Sequence, residues 1–231
     1  MVKIGCCGFP VVRGRYFENF DVVEIQKTFY DFVNSKLLGK WRDQAPEHFE
    51  FVLKAPQFIT HSAKSPTYRR VRIRLDMKLN AFGDFQPTKE VFNAYEAVYN
   101  YARILRTRII IFQTPPSFTP EKKNLKNMER FFNEIERGNL ILGWESRGRW
   151  GPSEIREVCK KFDLVDVVDP FLRRPVTGNL FYFRLHGGKG YRHKFSEDEL
   201  RWLARIIKKD GYVMFNNISM FFDAQRFKSL F

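Results

Sequence analysis

Short runs dense in Val, Ile, Leu and Phe recur along the chain, separated by longer amphipathic stretches. The apolar runs fall at residues 3–8, 21–25, 50–55, 108–113, 140–145, 164–168, 180–186 and 212–216. Several are apolar on both faces, as in Ile109-Ile110-Ile111-Phe112, which is the pattern of strands buried in a parallel sheet. Between them, helical periodicity places Val91, Tyr95, Val98, Ala102 and Leu105 on one face. The same holds for Leu125, Met128, Phe132 and Ile135, for Ile155, Val158, Cys159 and Phe162, and for Leu200, Leu203, Ala204 and Ile207. Thr119-Pro120 predicts an N-cap before a first-turn proline. Ser196 with Glu199 three residues on predicts a capping box.

Alternating strands and helices imply a parallel sheet, because each crossover helix returns the chain to the same end. Eight strands favour a closed barrel over an open doubly wound sheet. The units are unequal. Residues 9–20 and 169–179 are short for regular helices, and the stretch from 55 to 88 is long. No linker, repeat or low-complexity segment interrupts the chain. The expected fold is therefore α/β, one domain over residues 1–231: an irregular (β/α)8 TIM-type barrel with a shortened first unit and a long loop after the third strand.

Composition adds one unusual feature. The chain has 231 residues, of which 44% are hydrophobic and 29% charged, an ordinary globular balance. Its formal net charge, however, is +14. An excess of this size points to an anionic partner such as nucleic acid, a phosphorylated ligand or a membrane surface, with a generally basic exterior as the plainer explanation. No apolar run exceeds four residues, so no membrane span is expected. The start, Met1-Val2-Lys3-Ile4-Gly5, lacks the apolar stretch of a signal peptide. The three cysteines form neither a disulfide framework nor a zinc-ligand spacing. A cytoplasmic location is the expectation.

In such a barrel, chemistry sits at the carboxyl ends of the strands. Reading those ends gives Glu24, Gln26, Thr28 and Tyr30 after the second strand and Lys54 and His61 after the third. Gln113 ends the fourth, Glu145 with Arg147 the fifth, and Asp169 the sixth. Arg184 and His186 mark the seventh, and Asn216-Asn217 the eighth. Polar groups at so many strand ends predict a site, although each alone could be an ion pair, a turn residue or a hydrogen-bonded structural histidine. Period two puts Arg184 and His186 on one face of their strand, and a charge turned toward the helix layer would be costly to desolvate, so both are expected to point inward.

These residues also carry a family resemblance. Val23-Glu24 with Thr28-Phe29-Tyr30, Phe51-Val52-Leu53-Lys54-Ala55-Pro56 with Ile59-Thr60-His61, and Gln113 before Pro115-Pro116-Ser117-Phe118 resemble the YecE-like family, domain of unknown function 72. So do Glu145-Ser146-Arg147 with Trp150, Tyr182-Phe183-Arg184-Leu185-His186-Gly187, and Phe215-Asn216-Asn217. The resemblance spans nearly the whole chain and implies a TIM-type barrel. It brings no established activity. Such barrels are distantly similar to endonuclease IV-like and sugar-isomerase-like barrels, an analogy of fold alone. The chain departs from the family pattern at Gly5-Cys6-Cys7-Gly8-Phe9, where Gly-Thr-Ser-Gly-Trp is usual, at Gln26 in place of Asn, and at Phe221-Phe222 after the Asn pair.

Several chemistries fit the strand-end set. Glu24 and Glu145 could act as a carboxylate pair on a sugar, with a separation of about 5 Å suiting a retaining mechanism. An ion pair of one of them with Lys54 or Arg184 is the stronger reading, and Glu24 and Glu145 are the expected partners of Arg184. Arg147, Arg184, Lys54, His61 and His186 could hold a phosphate, with a histidine as general acid or base. A divalent metal on Glu24, Glu145, Asp169 and His186 is a weaker possibility. Basic residues in the loops, Arg69, Arg70, Arg72 and Arg74 after the third strand and Lys189 and Arg192 after the seventh, are interleaved with aromatics and suit nucleic-acid backbones. The leading expectation is a phosphate-bearing ligand, nucleic acid favoured, with phosphodiester hydrolysis by Glu24, Glu145, His186 and Lys54 as its enzymatic form. Tyr30, His61, Gln113, Arg147, Asp169, Arg184, Asn216 and Asn217 would bind the ligand. The alternatives are a carboxylate-based enzyme on a small molecule and a non-enzymatic nucleic-acid-binding module.

Overall fold

The computed structural model describes residues 1–71, 79–178, 180–188 and 190–231. Eight strands close into one barrel in sequence order, β1 (Val2–Cys7), β2 (Val22–Ile25), β3 (Glu50–Lys54), β4 (Ile109–Gln113), β5 (Ile141–Glu145), β6 (Leu164–Val168), β7 (Phe181–Leu185) and β8 (Gly211–Phe215). Every neighbouring pair is parallel, including β1 with β8, which closes the ring. All eight predicted strands are present.

Strand periodicity divides the apolar residues into two cores. Val22, Val52, Ile109, Ile111, Val167, Tyr182, Tyr212 and Met214 fill the barrel interior. Their chain neighbours, among them Val23, Leu53, Ile110, Phe112, Trp144, Val168, Phe183 and Phe215, pack outward against the helices. Gly143 is required by this interior. A β-carbon there would lie 2.7 Å from Ile111 Cδ1 and 2.8 Å from Val167 Cγ2, closer than carbon atoms pack.

Parity then sets which strand-end residues face inward. Counting by two from the interior residues gives Glu24, Lys54, Gln113, Glu145, Asp169, Arg184, His186 and Asn216. Asn217 falls on the opposite parity.

Among the described residues the helices are α1 (Arg13–Asn19), α2 (Lys27–Tyr30), α3 (Ser35–Gln44), α4 (Gln57–Thr60), α5 (Lys89–Leu105), α6 (Lys122–Glu134), α7 (Pro152–Lys161), α8 (Glu197–Ile206) and α9 (Met220–Lys228). The first unit is short, as expected, with seven residues in α1. The α8 capping box forms as predicted, with Ser196 Oγ accepting from Glu199 N and Glu199 Oε2 accepting from Ser196 N.

Three local readings are corrected. Helices over Ser35–Gln44 and Met220–Lys228 add to the four predicted faces. The predicted face of α6 is rotated, for Leu125 is 37% exposed while Asn124, Asn127, Met128 and Phe131 are buried. Asn124 donates to Thr119 O at 2.9 Å and Asn127 to Asp84 O at 3.0 Å, so two amides tie this face to loops that sequence periodicity does not see. The helix also begins two residues past Pro120, with Glu121 as N-cap, and Thr119 Oγ1 donates to the Glu121 carboxylate at 2.9 Å.

Candidate functional site

The inward-facing strand ends enclose a cavity of about 1240 Å³ at the carboxyl rim of the barrel. Lys54, Gln113, Glu145, Arg147, Asp169, His186 and Asn216 line it, with Tyr30, Arg70 and Tyr191 higher on the wall. Glu24 and Arg184 lie just beneath, fully buried.

Arg184 organises this floor. Its Nε donates to Glu24 Oε2 at 3.1 Å, and its Nη2 lies 3.0 Å from Glu24 Oε1, a bidentate pair. Nη1 donates to Gln113 Oε1 at 3.1 Å and to Glu145 Oε2, and Nη2 reaches Cys7 Sγ at 3.7 Å. Burial works against the guanidinium charge, but Glu145 and Glu24 outweigh it and raise the Arg184 pKa well above its ordinary value. Burial likewise acts to raise the Glu145 pKa, and Arg184, Arg147, His186 and Lys54 reverse that and hold it well below the usual carboxylate range. Tyr182 donates to Glu24 Oε2 at 2.8 Å, and Gln26 donates to Glu24 Oε1. Burial and the adjacent Glu24 carboxylate push the Cys7 thiol far up, which argues against a thiolate nucleophile.

Above the floor, Arg147 Nε donates to Glu145 Oε1 at 2.9 Å, and Nη2 meets His186 Nε2 at 2.7 Å. A guanidinium only donates, so Nε2 accepts and the ring proton sits on Nδ1, which faces Asp169 Oδ2 at 3.8 Å. Asp169 also accepts from the backbone amides of Phe171 at 3.0 Å and His186 at 2.9 Å. The chain turns outward at Gly187, whose φ of 77° and close approach to His193 suit glycine.

Lys54 differs from its neighbours. It is 4% exposed, and among the described residues its ammonium has no hydrogen bond or ion pair. Its closest aromatic contact is the Phe29 ring, with Nζ 3.6 Å from the centroid. Burial and the Arg184 charge, only partly offset by Glu145 and Glu24, lower its pKa to about 7.

Some expected residues stand elsewhere. His61 is buried outside the cavity, with Nδ1 2.8 Å from Thr60 Oγ1 and its ring edge against Phe29. Burial, with Lys54 and Arg147 nearby, pushes its pKa down to about 3, which makes it a poor acid–base group. Asn217 points away from the cavity, as its parity requires, and donates to His193 O and Asp223 Oδ2, both at 2.7 Å. Glu24 and Glu145 are not an unencumbered carboxylate pair, because Arg184 stands between them and binds both. The four metal candidates are not gathered either. Among the described residues no three His, Cys, Asp or Glu side chains come together as a metal would need. Arg69, Arg70 and Arg192 are all exposed, and of the three only Arg70 lines the cavity, donating to Tyr30 Oη at 3.0 Å. Arg72, Arg74 and Lys189 lie outside the described residues.

Sequence reasoning missed roles for Tyr182 and Asp166, and took Arg173 only as part of a basic pair, with Arg174, in the loop after the sixth strand. Buried Asp166 accepts from Arg173 Nη1 and Nη2 at 2.6 and 2.5 Å, pinning the loop after β6. The inward parity of Tyr182, two residues before Arg184, was a usable signal. The Arg173–Asp166 pair depends on the path of the loop and had none.

Among the described residues no helix is long and apolar enough to cross a membrane. The chain is 23% identical to the UPF0759 protein YunF of Bacillus subtilis (strain 168), with 88% of this chain and 79% of the relative covered. Its fold is similar to that of a DUF72 family protein from Enterococcus faecalis V583, with a TM-score of 0.74 at 17% identity, covering 100% of this chain and 97% of the other. A DUF72 family protein from Thermotoga maritima MSB8 gives a TM-score of 0.68 at 20% identity, covering 100% and 98%. A xylose isomerase domain containing protein from Salmonella typhimurium LT2 gives 0.57 at 13% identity, covering 99% and 94%, which marks the same barrel architecture. The family described as protein of unknown function DUF72 matches residues 14–230, and the chain belongs to it.

Proposed function

We propose that the barrel mouth binds a phosphate-bearing ligand. The observation that carries this reading is the imbalance of donors and acceptors at the cavity. The carboxylates are occupied: Glu24 by Arg184, Glu145 by Arg184 and Arg147, and Asp169 by backbone amides. Apart from the Asn216 amide, the side chains left over are ones that can donate. They are the Lys54 ammonium, the remaining N–H groups of Arg147 and Arg70, and the Ser146 hydroxyl, whose buried Oγ has no partner among the described residues. A phosphate offers only acceptors and negative charge, and guanidiniums match its oxygens in pairs. A sugar hydroxyl offers both roles and uses such a surface less well.

The net charge of +14 favours nucleic acid as the source of the phosphate, with exposed Arg69 and Arg192 outside the rim and Tyr30 and Tyr191 available for stacking. In a hydrolytic form of this reading, His186 is the group available to move a proton, since Arg147 and Asp169 orient its ring. The carboxylate-only reading loses support because neither glutamate is available without breaking its pair with Arg184.

Titration with inorganic phosphate, a nucleoside monophosphate and a short single-stranded DNA across salt concentrations tests the proposal. All three should bind, the DNA with a negative slope of log affinity against log salt. Arg147→Met should weaken each at least about tenfold, the loss of one charged bidentate contact. Binding of neutral sugars with no binding of phosphates would reverse the reading.

A further inference from the structure

We propose that Lys54 is an amine nucleophile that forms a Schiff base with an aldehyde or ketone carried by a phosphate-bearing ligand in the barrel mouth. This rests on the phosphate reading above and narrows its ligand to carbonyl compounds.

The argument begins from a buried cation without a partner. Three lysines elsewhere find carboxylates, Lys3 with Glu50, Lys161 with Glu129 and Lys228 with Asp21, and lysines without one, such as Lys122 and Lys123, are exposed to water. Lys54 is far more buried than any of these and has none among the described residues. Burying an ammonium unpaired is unfavourable, and a lysine kept for structure alone would be expected to hold an ion pair. Its two nearby carboxylates, Glu24 on β2 and Glu145 on β5, are both held by Arg184 from β7. The floor thus withholds from Lys54 the partners that would fix its proton.

The other groups around it act in the same direction. Arg184 and Arg147 oppose its positive charge, and His61 beyond α4 is neutral. Phe29 covers one side at 3.6 Å, an apolar wall that suits a neutral amine and, through its ring face, a cationic iminium. The amine is also aimed. Lys54 ends a barrel strand, its own carbonyl accepts from Thr28 Oγ1 at 2.7 Å, and inward parity turns the side chain to the cavity. With a pKa near 7, much of it is unprotonated at neutral pH, the state a nucleophilic lysine needs.

The chemistry balances without an oxidant or reductant. The nitrogen lone pair attacks the carbonyl carbon, a C–N bond forms, and the carbonyl π pair moves to oxygen. A proton passes from nitrogen to that oxygen to give a carbinolamine. The C–O bond then breaks, the hydroxyl leaves as water after taking a proton from solvent at the open mouth, and the iminium carries the positive charge. The ligand phosphate would meanwhile rest on Arg147 and Arg70.

The test is trapping by sodium cyanoborohydride with glyceraldehyde 3-phosphate, mapping every modified lysine by mass spectrometry, with glyceraldehyde as the phosphate-free comparison and calorimetry of inorganic phosphate in parallel. The expected result is that Lys54 is modified at least tenfold faster than exposed lysines such as Lys122. Its rate should rise with pH through a midpoint near 7. Inorganic phosphate should slow it, and glyceraldehyde should react at least tenfold more slowly. Lys54→Met should lose the fast phase while melting no lower than the parent. If Lys54 reacts no faster than exposed lysines while phosphate still binds, the amine chemistry is overturned and the phosphate reading survives. If Lys54 reacts equally fast with both aldehydes and phosphate neither binds nor competes, the phosphate reading falls and takes this proposal with it. Mapping on the unaltered protein decides between these outcomes even if the variant fails to fold.

Discussion

Arg184 and Lys54 occupy comparable places. Each faces the barrel interior at the carboxyl end of its strand, β7 or β3, and each is almost fully buried, at 0% and 4% exposure. Their electrostatic fates are opposite. Arg184 gathers Glu24, Glu145 and Gln113, and its charge is held more firmly than in water. Lys54 gathers none of them, and burial draws its pKa down to about 7. The difference lies in side-chain chemistry. A planar fork with five donors can hold two carboxylates at once, whereas an ammonium is a single point of charge. Once the fork has taken both glutamates, the lysine beside it meets the low-polarity environment and the arginine's repulsion together. One floor therefore yields a fixed cation and a labile one.

The largest expected effect comes from removing the fixed cation. Arg184→Met leaves Glu24 buried with only the neutral donors Tyr182 and Gln26, and Glu145 with Arg147 as its one paired cation. Breaking one side of a buried pair typically costs about 3–5 kcal/mol, and urea denaturation should show a loss in that range. Arg184→Lys should recover only part of it, since one ammonium cannot span both carboxylates. Equal stability of Arg184→Met and the parent would mean that the floor is not organised by this ion network.

Removing the labile cation should act in the opposite direction. The folded pKa of Lys54, about 7, lies below its ordinary 10.5, so between these values the unfolded chain binds more protons than the folded one. Stability therefore rises with pH across that window, and the burden of the buried amine is full below about pH 7. Lys54→Met should stabilise the fold by on the order of 1–3 kcal/mol at pH 6, with the gain shrinking toward pH 10. A gain that stays constant with pH would show that packing, not charge, sets the effect.

Tyr182 supports the fixed side of the contrast. Its hydroxyl donates to Glu24 Oε2, and a hydrogen bond to a charged group contributes about 1.5–3 kcal/mol. Tyr182→Phe should fall at the low end of that range, because Gln26 and Arg184 still satisfy the carboxylate. A thermal melt showing no change would place the burden of holding Glu24 on Arg184 alone.

The residues that make this floor were legible before the structure because barrel strands have a period of two and polar residues at their ends stand out against apolar runs. Glu24, Lys54, Gln113, Glu145 and Arg184 follow from that rule, and Asn217, which turns away, would have followed had its parity been applied. That Arg184 would take Glu24 and Glu145 was expected from its place on the inward face of its strand, and the structure gives it both. That Lys54, the other candidate partner, would be left without a carboxylate was not legible. His61 sits near a strand end in sequence but caps the end of α4, buried against Phe29 and Thr60 and outside the cavity lining. Helix α3 was hidden because it buries only Leu38 and Trp41 and carries Gly39 in its middle. The loop pair Arg173–Asp166 depends on contacts with no fixed sequence spacing.

The smallest stability effect, and the sharpest comparison, concerns Arg147. It is 37% exposed on its side chain, and its pair with Glu145 is correspondingly screened, so Arg147→Gln should cost less than about 1 kcal/mol. Its influence on Lys54 should nevertheless be measurable. Arg147 is one of the cations that lower the lysine's pKa, while Glu145 is one of the anions that raise it. Removing the guanidinium subtracts a repulsion and at the same time releases one oxygen of Glu145, and both changes favour the protonated amine. The midpoint of the Lys54 modification rate against pH should therefore move upward, by about half a pH unit, in a protein whose melting temperature has scarcely changed. Arg184 should not be replaceable by this route, because its two carboxylates already hold its charge. If the Lys54 midpoint stays fixed in Arg147→Gln, burial alone sets the lysine's state, and the contrast between the two cations would then be one of depth in the barrel instead of partnership.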